Sequence, residues 1–174
     1  MKTKQLTLCA LLTAMALALS YMENFFPLSL AIPIPGVKLG LANVVTLFAL
    51  YALGAGPALT ILLARCFLGA VFAGNMNALI FSVLGGFSAM LVMIALSHCR
   101  GLSVYGVSIG GAAAHNCGQI AAAILTLGNT APLYYLPVLL GVALCTGALT
   151  GLLAACLFRA MRHIIKEGDY GKTA

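Results

Sequence analysis

Residues Asn77 to Ser97 read NALIFSVLGGFSAMLVMIALS, 21 residues without one charged side chain. Crossing the hydrocarbon core of a bilayer takes about 20 mostly apolar residues. With no water there to satisfy the backbone, a helix is the natural form of such a run. The same pattern recurs on either side. Upstream, an apolar run opens at Pro57, a favoured first helical residue, and continues to about Ala73. Gly54-Ala55-Gly56 separates it from a shorter run, Leu39 to Leu53, and Leu6 to Met22 lies before that. Downstream come Ser103 to Leu127 and Pro132 to about His163. The sequence therefore predicts an all-α integral membrane protein. It forms a single transmembrane domain, a compact six-transmembrane-helix bundle with helices at about 6–22, 39–53, 57–73, 77–97, 103–127 and 132–163. The one substantial loop, 23–38, contains Pro27, Pro33 and Pro35, and residues 164–174 form a tail.

Composition agrees. The chain is 63% hydrophobic and 7% charged, with a mean hydropathy of +1.10, far from a soluble domain. Twelve charges cannot clothe a water-facing surface, so most of the outside must meet membrane lipid. The pI near 9.2 does not point to nucleic acid, because no basic patch is interleaved with aromatics. Seven of the nine basic residues (Lys2, Lys4, Arg100, Arg159, Arg162, Lys166, Lys172) fall at chain ends or in one connection. An even number of spans places all seven in the cytoplasm, both termini inside, as the positive-inside rule expects. The expected location is a bacterial cell membrane, crossed several times. Lys2, Lys4 and the apolar run up to Ala16-Leu17-Ala18 also have the form of a cleaved signal peptide, but the remaining helices fit better with this one retained.

Small residues recur at four-residue spacing: Ala10, Ala14 and Ala18; Gly106, Gly110, Ala114, Gly118 and Ala122; Ala143, Gly147, Gly151 and Ala155. Such faces let helices approach closely in lipid. The latter two are expected to pack inside the bundle, while the first either packs or docks another membrane protein. The six cysteines show no CxxC spacing and read as small buried thiols. His98, Cys99, His115 and Cys117 lack a recognisable metal-ligand spacing, so neither metal nor cofactor is expected.

Two cations escape the topology pattern. Arg65 lies mid-run and costs about 2.5–3.5 kcal/mol at a helix centre on insertion scales, so it should face the bundle interior with a partner. Lys38 follows the proline-rich loop. Glu23 is the one acid near either, leaving two readings: an Arg65–Glu23 bridge, or a cavity that takes an anion. In the fifth helix His115 and Gln119 share a face, with Asn116 around the side. Three hydrogen-bonding side chains in five residues imply either interhelical contacts or a polar cavity. Asn43 is placed to face the same cavity, and Asn75 and Asn77 to cap helices. Tyr134 and Tyr135 suit an interfacial belt.

No Walker A sequence, Ser/His/Asp constellation or HExxH motif occurs, and three scattered acids supply no acid-rich Mg²⁺ motifs. The chain is therefore not expected to be an enzyme by itself. Pro35-Gly36-Val37-Lys38-Leu39-Gly40-Leu41-Ala42-Asn43, Arg65, His115-Asn116-Cys117-Gly118-Gln119 and Tyr135-Leu136-Pro137 together resemble the bacterial Gx transporter family, also called heptaprenyl diphosphate synthase component I. That family is similar to the substrate-binding S components of energy-coupling factor (ECF) transporters. The resemblance implies an S-component-like bundle whose first helix docks an ECF coupling protein, here through Ala10, Ala14 and Ala18. It also implies an extracellular lid formed by residues 23–38. The leading expectation is uptake of a small anionic or amphiphilic ligand, energised by partner ATPases. Lys38 and Arg65 would neutralise the ligand, and Asn43, His115, Asn116 and Gln119 would hydrogen-bond it. The alternative expectation is a membrane subunit assisting polyprenyl diphosphate synthesis beside a soluble prenyl synthase.

Overall fold

The computed structural model describes residues 3–23, 38, 40–99 and 101–161. The expected lid between Glu23 and Lys38, Arg100 and the 164–174 tail lie outside the described residues. Six α-helices follow one another: α1 (Thr3–Met22), α2 (Asn43–Leu53), α3 (Ala55–Ala73), α4 (Met76–Ser97), α5 (Val104–Leu127) and α6 (Leu136–Ala160). A 3-10 turn, Ala131–Tyr135, leads into α6.

Local chemistry sets the boundaries. Asn75 caps α4 by accepting from the Asn77 N–H at 2.9 Å, and Ser103 caps α5 by accepting from the Gly106 N–H at 3.3 Å. At the far ends of α3 and α5, Gly74 (φ 59°) and Gly128 (φ 67°) take the left-handed conformation that glycine adopts without steric cost. Pro57 falls in the first turn of α3, but the helix begins two residues earlier, at Ala55.

Four helical stretches are long and apolar enough to cross a membrane: Thr3–Met22, Ala55–Ala73, Met76–Ser97 and Ala131–Ala160. Six helices are present among the described residues, and these four meet that length and apolarity. α5, with 24 residues, has the length, but His115, Asn116 and Gln119 dilute its apolar character. α2 has only 11 residues, about 16 Å of helix against a core of about 30 Å. It starts at Asn43 rather than Leu39 because the chain turns at Gly40, whose φ is +82°.

That short helix is the centre of the bundle. Nine of its 11 residues are buried, and it touches each of the other five helices. A helix apolar on all sides belongs inside. At its C-terminal end Phe48 and Tyr51 meet Phe158 of α6, with ring centroids 5.0 and 6.0 Å apart.

α5 packs closely on both α4 and α6, through glycines. A Cβ on Gly118 would stand 2.4 Å from the Leu84 carbonyl oxygen, and one on Gly147 would stand 2.6 Å from the Ile109 Cα. The small faces of α5 and α6 are thus packing faces. A hydrogen bond of 2.7 Å between Ser108 Oγ and Thr150 Oγ1 adds a polar tie between these helices. On α1, by contrast, Cys9, Leu12, Thr13 and Ala16 face inward, and Ala10, Ala14 and Ala18 are all exposed.

Candidate functional site: a cationic pocket at the head of α2

The chain arriving at α2 must satisfy backbone donors inside the bundle. Glu23, buried just past the end of α1, does this through a carboxylate oxygen that accepts from the Leu41 N–H. Burial pushes the Glu23 carboxyl above its usual range, against the pull of that hydrogen bond and of the Arg65 and Lys38 charges. Arg65 is buried as well, and its Nη2 donates to Asn43 Oδ1 at 3.1 Å. Arg65 therefore leans on Asn43, and Glu23 is held by the backbone.

Glycines open the space these groups occupy. A Cβ on Gly85 would come within 2.9 Å of His115 Cε1, one on Gly86 within 3.3 Å of Arg65 Nη2, and one on Gly40 within 3.1 Å of His115 Cδ2. Around the resulting pocket stand Ser20 and Glu23, Lys38 and Gly40, Arg65, Ser82, and His115 with Gln119. The cavity measures about 10 Å³, roughly the space of one water.

Arg65 Nε and Gln119 Oε1 are buried without a hydrogen-bond partner among the described residues, and so is the ring nitrogen of His115 that is not turned to the Gly85 backbone. Buried polar groups in native proteins are nearly always paired, and each unpaired one costs about 1–3 kcal/mol. These three residues border one small cavity. With two cations against one carboxylate, the pocket favours an anion.

Of the six residues singled out from the sequence, Lys38, Arg65, His115 and Gln119 line this pocket, and Asn43 braces Arg65. Asn116 is not brought to it, because its Nδ2 donates to the Leu139 carbonyl at 2.6 Å, tying α5 to α6. Asn116→Ala should therefore lower stability by about 0.5–1.5 kcal/mol, the net worth of one such bond, and leave anion binding intact. Denaturation and binding measurements on the same preparation check this. Sequence reasoning missed Ser20, Ser82 and the Gly85-Gly86 pair, whose placement mid-span was the available signal. It weighed Glu23 as a partner for Arg65 and as the start of the 23–38 lid.

The fold is all-helical among the described residues, with four helices of membrane-crossing length and apolarity and an internal cavity lined by two cations and one carboxylate. The chain belongs to the heptaprenyl diphosphate synthase component I family, whose sequence model matches residues 12–157. The only acids in the sequence are Glu23, Glu167 and Asp169, which form no acid-rich Mg²⁺ motif. No curated protein and no solved structure matches the chain. Membership favours the synthase-subunit reading over the uptake reading, and the likeness to ECF S components has no match behind it.

Proposed function

We propose that this chain is the membrane subunit of a two-component polyprenyl diphosphate synthase. A separate soluble chain would make the carbon–carbon bonds, and this one would hold an amphiphilic diphosphate at the bilayer. The observation that carries the reading is the buried Arg65, its Nε unpartnered among the described residues, in a chain of this family. A prenyl chain partitions into lipid, but its diphosphate head needs cations and hydrogen-bond donors, and Arg65, Lys38 and His115 offer them. In this reading the chain sits in a bacterial cell membrane with both ends cytoplasmic. α5 crosses with its polar face inward, and the short α2 sits within the bundle.

One observation favours the second reading, uptake with an ECF coupling protein and ATPases: Ala10, Ala14 and Ala18 form an exposed small-residue face on α1. Affinity purification of the tagged chain from its native membranes separates the two. A soluble prenyl synthase should co-purify, and adding the chain in membranes should raise that synthase's output of long-chain diphosphate. Recovery of a coupling protein with ATPases instead, and no effect on the synthase, would overturn the proposal.

A further inference from the structure

We infer that the pocket is a phosphate-type oxyanion site which the protein closes with its own Glu23 carboxylate, so that an anionic headgroup binds by displacing Glu23. The inference rests on the proposed reading of the pocket as a headgroup site, and specifies how that site is reached.

Glu23 already makes the contacts a bound oxyanion would make. Its carboxylate accepts from the Leu41 N–H where the chain enters α2, and it is drawn by the charges of Arg65 and Lys38. Backbone N–H groups at a helix start, with a guanidinium and an ammonium nearby, suit phosphate oxygens. Yet one carboxylate does not use all that the pocket provides. Arg65, His115 and Gln119 are 7%, 4% and 1% exposed, and each has a polar atom without a partner among the described residues. These atoms surround the cavity that Glu23 itself lines. A second carboxylate would satisfy the donor Arg65 Nε–H but not the acceptor Gln119 Oε1. A phosphate group carrying one P–OH satisfies both kinds, accepting through its ionised oxygens and donating to Gln119.

Size points the same way. With Glu23 in place about 10 Å³ remains, room for roughly a water and not for a phosphate group. Once Glu23 swings out, its volume, the Leu41 N–H and the fields of Arg65 and Lys38 all become available to the incoming group. Burial disfavours charge on Glu23, so the carboxylate is held against a cost and is replaceable by a better-matched anion.

The test uses the full chain in detergent micelles, as wild type, Glu23→Gln and Arg65→Leu, with inorganic diphosphate and farnesyl diphosphate as probes. Glutamine keeps an oxygen for the Leu41 N–H but removes the competing charge. Equilibrium dialysis should give Glu23→Gln an affinity about tenfold or more above wild type, because apparent affinity scales with the fraction of time the site is free. Arg65→Leu should bind neither probe. A second readout needs no variant: saturating diphosphate should raise carbodiimide–amine labelling of Glu23 in the wild type severalfold by mass spectrometry. Much tighter binding of the farnesyl probe assigns the site to a lipid-linked headgroup, and equal binding assigns it to free diphosphate. Either supports the inference. Glu23→Gln binding no tighter than wild type, unchanged Glu23 labelling, or no binding of either probe at millimolar concentration overturns it. If the soluble synthase still co-purifies after such a result, this inference alone falls. Loss of that co-purification with diphosphate binding intact counts against the proposed function instead.

Discussion

Arg65→Leu is expected to abolish diphosphate binding, and with it the chain's effect on a partner synthase, while the protein still inserts and folds. The two halves of that result have different causes. Removing an arginine from mid-span relieves an insertion cost of about 2.5–3.5 kcal/mol, and leucine fills similar space beside Leu62 and Gly86. What is lost locally is one hydrogen bond, leaving Asn43 Oδ1 without the guanidinium that now donates to it at 3.1 Å, and one of the two positive charges that offset the burial of Glu23. Binding fares differently. Truncating one partner of a buried charged pair costs about 2–5 kcal/mol, which at the midpoint weakens affinity several hundredfold. Size-exclusion chromatography and thermal unfolding should find a monodisperse protein, and dialysis should find no retained probe. A variant that binds diphosphate as wild type does would remove Arg65 from the site.

Gly118→Ala is expected to have the largest effect on stability, although it adds one methyl group. That Cβ would stand 2.4 Å from the Leu84 carbonyl oxygen and 2.8 Å from its carbon. These are backbone atoms of α4, which no rotamer change can move aside. α4 and α5 must separate along their contact, and overpacking of this kind costs about 1–3 kcal/mol, sometimes more. The high end or beyond is expected here. Gly141→Ala on α6 is the matched control. A Cβ there meets nothing within 4 Å, so the better helix propensity of alanine should leave stability unchanged or raised by up to about 1 kcal/mol. Unfolding in a mixed-detergent titration should separate the two variants widely; equal stabilities would mean the α4–α5 contact is looser than described.

Much of this architecture was legible in the residues. Asn77 to Ser97 identified a span, the small faces of α5 and α6 identified packing surfaces, and the lone mid-span arginine identified the pocket. Apolarity alone could not give the start of α2. Leu39, Leu41 and Ala42 extend the hydrophobic run, and the turn at Gly40 is set by a tertiary contact, the Leu41 N–H to Glu23. Side-chain direction was the other gap. His115 and Gln119 lie four residues apart and reach the pocket together, whereas Asn116 is rotated by about 100° and finds the Leu139 carbonyl. No pattern within α5 reveals that a carbonyl of α6 waits there. Charge counting left Glu23 open between a bridge to Arg65 and an anion-taking cavity, and could not show that an amide nitrogen in another segment holds it.

The central position of α2 also constrains how the protein is made. A segment of 11 residues is too short to be recognised and released into lipid by the insertion machinery as an independent span. Only Gly54 lies between it and α3, whose 19 residues are apolar enough to be accepted. In the proposed membrane arrangement the two would be delivered together, with the arginine that lines the pocket carried in α3. Assembly of the site would then be coupled to biogenesis: until α4 and α5 arrive to enclose Arg65, the nascent chain would carry an unshielded cation in the membrane.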